Sequence, residues 1–193
     1  MDTYTVIGGQ FVNAADNTSA EKRFYVTLEN EIGKRHEIIL SGNSLNTVKL
    51  GKEYFIEDDH SLRRVIRVAA AVICRDGKVF ASQRGYGELK DHWEFPGGKV
   101  EKGETPEEAL IREINEELAT TIRVEKHLTR IEYDYPEFHL IMDCYICSVI
   151  NGELTLIEHE SSAWLSAGDL YTVDWLPADL LALSYVQNLL LNS

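Results

Sequence analysis

Residues 105–118, TPEEALIREINEEL, carry a helix start signal and a charge problem together, and no other stretch constrains the chain as strongly. Thr105 stands before Pro106 and three residues before Glu108, which predicts an N-cap, a proline at the first helical position and a reciprocal capping box. Leu110, Ile114 and Leu118 recur at helical spacing and make one apolar stripe. Glu113, Glu116 and Glu117 lie immediately beside that stripe, three and four residues apart, so their carboxylates project into one small volume. Left alone they repel. A helix laid on a sheet by its stripe would hold them at the sheet edge, where a hard divalent cation can neutralise them. Mg²⁺, or Mn²⁺, suits such oxygen ligands and keeps positions for water and phosphate oxygens. The five residues EINEE alone would suit a solvated helix face, but Glu104, Arg112 and the pair Gly97-Gly98 stand at fixed offsets around them.

Each of these neighbours has a physical use. Gly97 and Gly98 let backbone approach a metal or phosphate with no Cβ in the way, and carbonyl coordination is the expected result. Arg112 precedes the carboxylates and can pair with Glu104 or Glu116, holding them in ligand rotamers. Phe95, Tyr135 and Phe138 could stack on a base, although aromatic side chains in such positions also serve as core.

The chain divides into a small β-rich unit, residues 1–65, and a larger α/β domain, residues 66–193. In the first, the runs TYTVI, RFYVTLE, HEIIL and EYFIE alternate with the turn-rich pieces NAADNTS, SGNSLN and LGK. Residues 57–64, EDDHSLRR, read as a polar linker. The second begins with two β runs flanking Asp76-Gly77, a strong hairpin signal. After the glutamate helix, strands are expected near 121–134, 138–149 and 153–158, with a short helix after Ser166 and a final helix from about Ala178. That alternation predicts an α/β/α sandwich with a mixed sheet.

Gly98, five residues, Glu104, seven residues, then Arg112, Glu113, Ile114, Asn115, Glu116 and Glu117 reproduce the Nudix box, and the chain resembles the Nudix hydrolases. The flanking text QRGYGELKDHWEFPGGKVEKGE and WLPAD is similar to the MutT-type enzymes that hydrolyse nucleoside triphosphates. The box's closing Gly and apolar residue are here Ala119 and Thr120, a departure that concerns how the helix ends. The resemblance implies that Glu113, Glu116 and Glu117 ligate the metal and that Glu104 supports them. It places a further ligand or general base at Glu158, six residues before Trp164, with Glu160 as the competitor. It also matches Arg84 to a substrate-binding arginine and Asp179 of WLPAD to a base-reading position, where a helix N-terminal charge is the alternative use. The activity implied is attack of an activated water on a triphosphate phosphorus, giving a nucleoside monophosphate and pyrophosphate. Substrates of the 8-oxo-dGTP/dGTP or CTP/dCTP type fit an ionised, acceptor-only Asp179. Other readings are hydrolysis of a nucleoside diphosphate derivative such as ADP-ribose, or a nucleotide-sensing module whose N-terminal unit binds a partner.

Net charge is −13, with 10 acidic and 8 basic residues up to Ile66 and 22 acidic and 11 basic after it. This argues against a nucleic-acid polymer as ligand, because such grooves leave basic patches. A metal complex of a nucleotide is compatible with an acidic chain. Apolar runs are short and no basic, apolar leader opens the chain, so neither membrane contact nor export is expected and a cytoplasmic location is. Cys74, Cys144 and Cys147 are odd in number, and a disulfide framework is not expected; the CxxC spacing puts Cys144 and Cys147 on opposite faces of a strand. The oligomeric state is left open, a dimer included.

Overall fold

The computed structural model describes residues 2–12, 23–40, 48–56 and 61–192. Its chain divides into two units, Met1–Ile66 with Asp134–His139, and Arg67–Tyr133 with Leu140–Ser193.

In the first unit, β1 (Tyr4–Val12), β2 (Arg23–Glu29), β3 (Arg35–Leu40), β4 (Glu53–Ile56) and the start of β5 (Leu62–Arg75) pair in the order β5-β4-β1-β2-β3. Alternation along the strands puts Tyr4 and Val6, Val26 and Leu28, and Ile38 and Leu40 on one face, where they bury Tyr54. The turn-rich pieces at 13–19 and 41–46 lie outside the described residues. The expected linker is corrected in its second half, since Ile56 pairs with Leu62 and Tyr54 with Arg64. Its polar composition misleads because a strand ladder uses backbone groups only. Leu62 packs on the apolar face, while Arg63 reaches Asp134 at 3.4 Å.

The second unit is built around the rest of β5. Asp76 and Gly77, at φ of 50° and 70°, make the two-residue turn that pairs Arg75 with Lys78 and starts β6 (Lys78–Arg84). Short strands β7 (Trp93–Glu94) and β8 (Gly97–Lys99) extend the sheet beside β6 and β5. Then follow α1 (Pro106–Leu118), β9 (Thr121–Asp134), β10 (Phe138–Asn151), β11 (His159–Ser166), a 3-10 turn at Leu170–Thr172 and α2 (Pro177–Leu191). β11 pairs with β6, β6 with β5, β5 with β10 and β10 with β9. Residues 69–73 of β5 are buried on both faces, as expected of a strand covered by helices on either side. On one face Ala69, Ala71 and Ile73 meet Leu110, Ile114 and Leu118 of α1. Each of those three helix side chains is fully buried, which contributes about 1.5–3 kcal/mol apiece. α2 packs against β6, burying Ala182, Leu183 and Val186. The three cysteines are free; Cys147 joins the α1 side of the core, and Cys144 is buried as well. No helix among the described residues is long and apolar enough to cross a membrane.

The two ends of α1 explain one success and one error of sequence reading. At its start the capping box forms, the Glu108 amide donating to Thr105 Oγ1 at 3.2 Å and the Thr105 amide to Glu108 Oε2 at 2.8 Å. At its end Ala119 takes the left-handed conformation (φ 49°, ψ 36°) that a glycine would adopt without steric cost. The orphan carbonyls of the last turn are satisfied from 153–157: the Thr155 amide donates to the Leu118 carbonyl at 3.0 Å and the Ile157 amide to that of Glu117 at 2.9 Å. This is why the strand expected near 153–158 is found later, at His159–Ser166. Amides spent on a helix end are not available to a sheet. Ala119→Gly should therefore stabilise the chain by up to about 1 kcal/mol, its relief of left-handed strain exceeding the added freedom of the unfolded state. Ala119→Val should destabilise it. Urea unfolding checks both, and a glycine variant weaker than the parent would remove the strain argument.

Candidate active site

Arg112 organises the acidic end of α1. Its Nε and Nη2 fork onto Glu104 at 2.8 and 2.9 Å, its Nη1 meets Glu113 Oε1 at 2.8 Å and Glu116 Oε2 at 3.4 Å, and its Nη2 also donates to the Lys99 carbonyl at 3.1 Å. The predicted pairing with Glu104 or Glu116 thus includes both, and Glu113 too. Arg112, followed by the Glu101 amide at 3.0 Å, holds the Glu104 carboxyl down at about 2. Arg112 is shifted upward by the same partners, Glu104 before Glu113. Among the described residues no three His, Cys, Asp or Glu side chains stand gathered to hold a metal, and Glu113 and Glu116 are bound by Arg112 instead.

Glu117 lies on the inner side of the same turn. Its Oε2 is buried without a hydrogen-bond partner. Burial lifts its carboxyl to about 7; the charges of Glu94 and Glu113 push the same way, while His159 and a bond from the Gly97 amide oppose them. A buried carboxylate so placed calls for a cation, and the all-oxygen donor set around it suits a hard divalent ion. The glycines are needed for close approach. A Cβ on Gly97, at φ 151°, would run into the Ala69 carbonyl across the β8–β5 pair, and one on Gly98 would strike the Glu113 carboxylate.

Beyond α1, Arg84 at the end of β6 is bound by Glu94, Nη1 to Oε2 at 2.8 Å. Burial works against its charge and Glu94 more than compensates, so its pKa is raised. His159 sits across from Arg84 on β11, and its Nε2 meets Glu94 Oε1 at 3.1 Å. Burial disfavours the charged imidazole, but the bond to Glu94 and the charges of Glu117 and Glu94 raise its pKa on balance. The Tyr86 hydroxyl donates to exposed Glu158 at 3.0 Å, and its ring lies 5.8 Å from the Arg84 guanidinium. Glu160 behaves differently. A register shift between His159 and Ser161 leaves it as a bulge residue, and it pairs with Lys90 at 3.0 Å.

Asp179, in the first turn of α2, is only 4% exposed and accepts from the Phe95 amide at 2.9 Å. Burial lifts its carboxyl to about 8 despite that bond. The Phe95 ring is itself buried, 4.7 Å from Trp175, so it serves packing. Tyr135 and Phe138 stack on each other at 4.8 Å in the hairpin tip that belongs to the first unit. Sequence reasoning missed Glu94, His159 and Tyr86. A signal for the first existed, because a carboxylate between Trp93 and Phe95 needs a buried partner and the strand-end Arg84 is one.

A family model of the NUDIX domain matches residues 64–184. The 8-oxo-dGTP diphosphatase of Proteus vulgaris is 38% identical over 98 residues, spanning 48% of this chain and 85% of that protein. The CTP pyrophosphohydrolase of Escherichia coli is 31% identical over 118 residues, or 61% and 87% of the two chains. The solved structure of the DNA mismatch repair protein MutT from methicillin-resistant Staphylococcus aureus 252 is 39% identical, with a TM-score of 0.56 over 65% of this chain and 98% of that one. With the family match covering the glutamate helix, the glycine pair, the strand that carries Arg84 and the segment with Glu158, this chain belongs to the Nudix hydrolases.

Proposed function

We propose that the chain hydrolyses nucleoside triphosphates of the 8-oxo-dGTP/dGTP or CTP/dCTP type to the monophosphate and pyrophosphate, with Mg²⁺, on a cytoplasmic nucleotide pool. The observation that carries this is the buried Glu117 carboxylate, without a hydrogen-bond partner at Oε2, on the turn that Arg112 orders. Nudix hydrolases generally need a divalent metal. Glu113, Glu116 and Glu117, with a carbonyl of the Gly97-Gly98 pair, would hold it. When bound, such an ion offsets charge on phosphate oxygens and makes water more acidic.

The protein's own residues supply the rest. Arg112 keeps Glu104 and Glu113 ordered, and Glu113 and Glu116 would have to turn oxygens from Arg112 toward a cation to hold it. Arg84 presents the guanidinium donors not used by Glu94 to a phosphate. Glu158, exposed and oriented by Tyr86, accepts the proton of the attacking water. Glu160 is engaged by Lys90, which favours Glu158 for this role. Asp179 reads the base.

Purified protein with Mg²⁺ should release pyrophosphate, and chelation should abolish the release. Glu117→Gln should fold and lose most turnover, while Glu158→Gln should lower kcat by about 100-fold with less effect on metal affinity. Faster cleavage of ADP-ribose than of any triphosphate would move the substrate to the diphosphate class. Near-normal rates for Glu117→Gln at saturating Mg²⁺ would reject its role.

Base choice should depend on pH. With a pKa of about 8, Asp179 is mostly neutral at pH 7 and offers a donor as well as an acceptor, so the acceptor-only reading applies only above that pH. The ionised form would repel the carbonyls that flank the single N–H of uracil and thymine. The preference in kcat/KM for guanine or cytosine triphosphates over these should widen by about 1–3 kcal/mol between pH 7 and 9. Asp179→Ala should flatten that trend; a ranking led by UTP or dTTP at pH 9 would falsify the assignment.

The same carboxyl should cost stability. Unfolded, Asp179 titrates near 3.9; folded, at about 8. Below about pH 4 both states hold the proton and no penalty exists; as pH rises through 8 the folded state forfeits stability, because the unfolded chain ionises first. Asn keeps the acceptor for the Phe95 amide and cannot ionise. Nucleotide-free Asp179→Asn should therefore be more stable than the parent at pH 8 by at least about 1 kcal/mol, the gap closing near pH 4. Melting curves across that range decide the point, and a parent that is the more stable at pH 8 would mean its carboxylate is ionised and paired.

A further inference from the structure

Arg84 and the segment that carries Glu158 are tied together by two residues outside the glutamate helix. Arg84 on β6 and His159 on β11 are direct cross-strand partners. Glu94 stands on β7, which pairs with β6 at Ser82 and Gln83. Glu94 and His159 thus come from two different strands paired with β6 and meet beside Arg84. Oε2 of Glu94 accepts from Arg84 Nη1 at 2.8 Å while Oε1 accepts from His159 Nε2 at 3.1 Å. The contact is nearly dry, the side chains of His159 and Glu94 being 5% and 15% exposed. A carboxylate held at both oxygens cannot rotate without breaking one bond, so its plane fixes the orientation of the guanidinium it holds. Consecutive residues entering β11 point to opposite sides, so His159 turns inward to Glu94 while Glu158 stays exposed against Tyr86.

We propose that His159 is a positioning residue: by donating from Nε2 to Glu94 it locks the Arg84–Glu94 pair and anchors the start of β11, so that the phosphate-binding arginine and Glu158 keep a fixed relation. The inference rests on the triphosphate-hydrolase reading. The packing is compatible with one tautomer, Nε2–H toward Glu94, with Nδ1 buried and without a partner. What the position requires is a donor at the place of Nε2. Filling the same volume is not enough.

Gln and Asn separate these requirements, because the amide nitrogen of Gln reaches the place of Nε2 and that of Asn stops near Nδ1. With Mg²⁺ and a triphosphate that the parent turns over, His159→Asn should lower kcat/KM by about tenfold to 100-fold, mostly through kcat, the loss expected for a buried bond to a charged group. His159→Gln should restore it to within about threefold of the parent, with equal melting temperatures for the two variants. His159→Asn combined with Glu94→Gln should lose little more than the worse single variant. A second measurement needs no turnover: rotation of the Arg84 guanidinium, followed by nitrogen-15 NMR in the nucleotide-free protein, should be faster in His159→Asn than in the parent or His159→Gln. If the parent releases no pyrophosphate from any triphosphate, the functional reading fails and the NMR comparison still judges the grip. If the parent is active, then Asn equal to the parent, Gln as impaired as Asn, or unchanged Arg84 rotation overturns the proposal.

Discussion

Seating Leu110, Ile114 and Leu118 in the core draws Glu113, Glu116 and Glu117 to the edge of a dry interface, and the site is arranged around that constraint. The apolar burial is worth several kcal/mol, enough to hold charges where water alone would not favour them. Arg112 meets part of the resulting demand by binding Glu104, Glu113 and Glu116 at once. Glu117, turned inward, is left with an unsatisfied oxygen and a carboxyl lifted to about 7 by burial. Gly98 follows from the same geometry, since any larger residue would occupy the space of the Glu113 carboxylate.

The features legible in the sequence were those whose physics is local. The capping box at Thr105 and the turn at Asp76-Gly77 each depend on residues a few positions apart, and each forms; the three glutamates share α1, but among the described residues their carboxylates are not gathered, Glu113 and Glu116 being bound by Arg112. The errors arose where a distant partner decided the outcome. Residues 153–157 look strand-like but give their amides to the end of α1. Leu62–Arg64 look like linker and are strand because Tyr54–Ile56 pair with them. Glu94 and His159 carry no spacing signal toward each other, being 65 residues apart, and only the pairing of β6 with both β7 and β11 brings them together. Asp179 was legible as a position but not in its charge, because burial sets its protonation.

Charge is distributed so that the site holds little free positive potential of its own. Arg112 is matched by Glu104 and Glu113, and Arg84 by Glu94, which His159 also engages. In a chain of net charge −13, long-range steering would repel a bare triphosphate. The inward carboxylates sharpen this, since Glu94 stands close enough to help push the Glu117 carboxyl upward. A triphosphate would therefore gain by arriving with divalent cations, which would neutralise both partners and offset the burial penalty on Glu117. On the proposed function, substrate binding and stabilisation of the carboxylate edge would then be one event, with the arginines left to orient the phosphates.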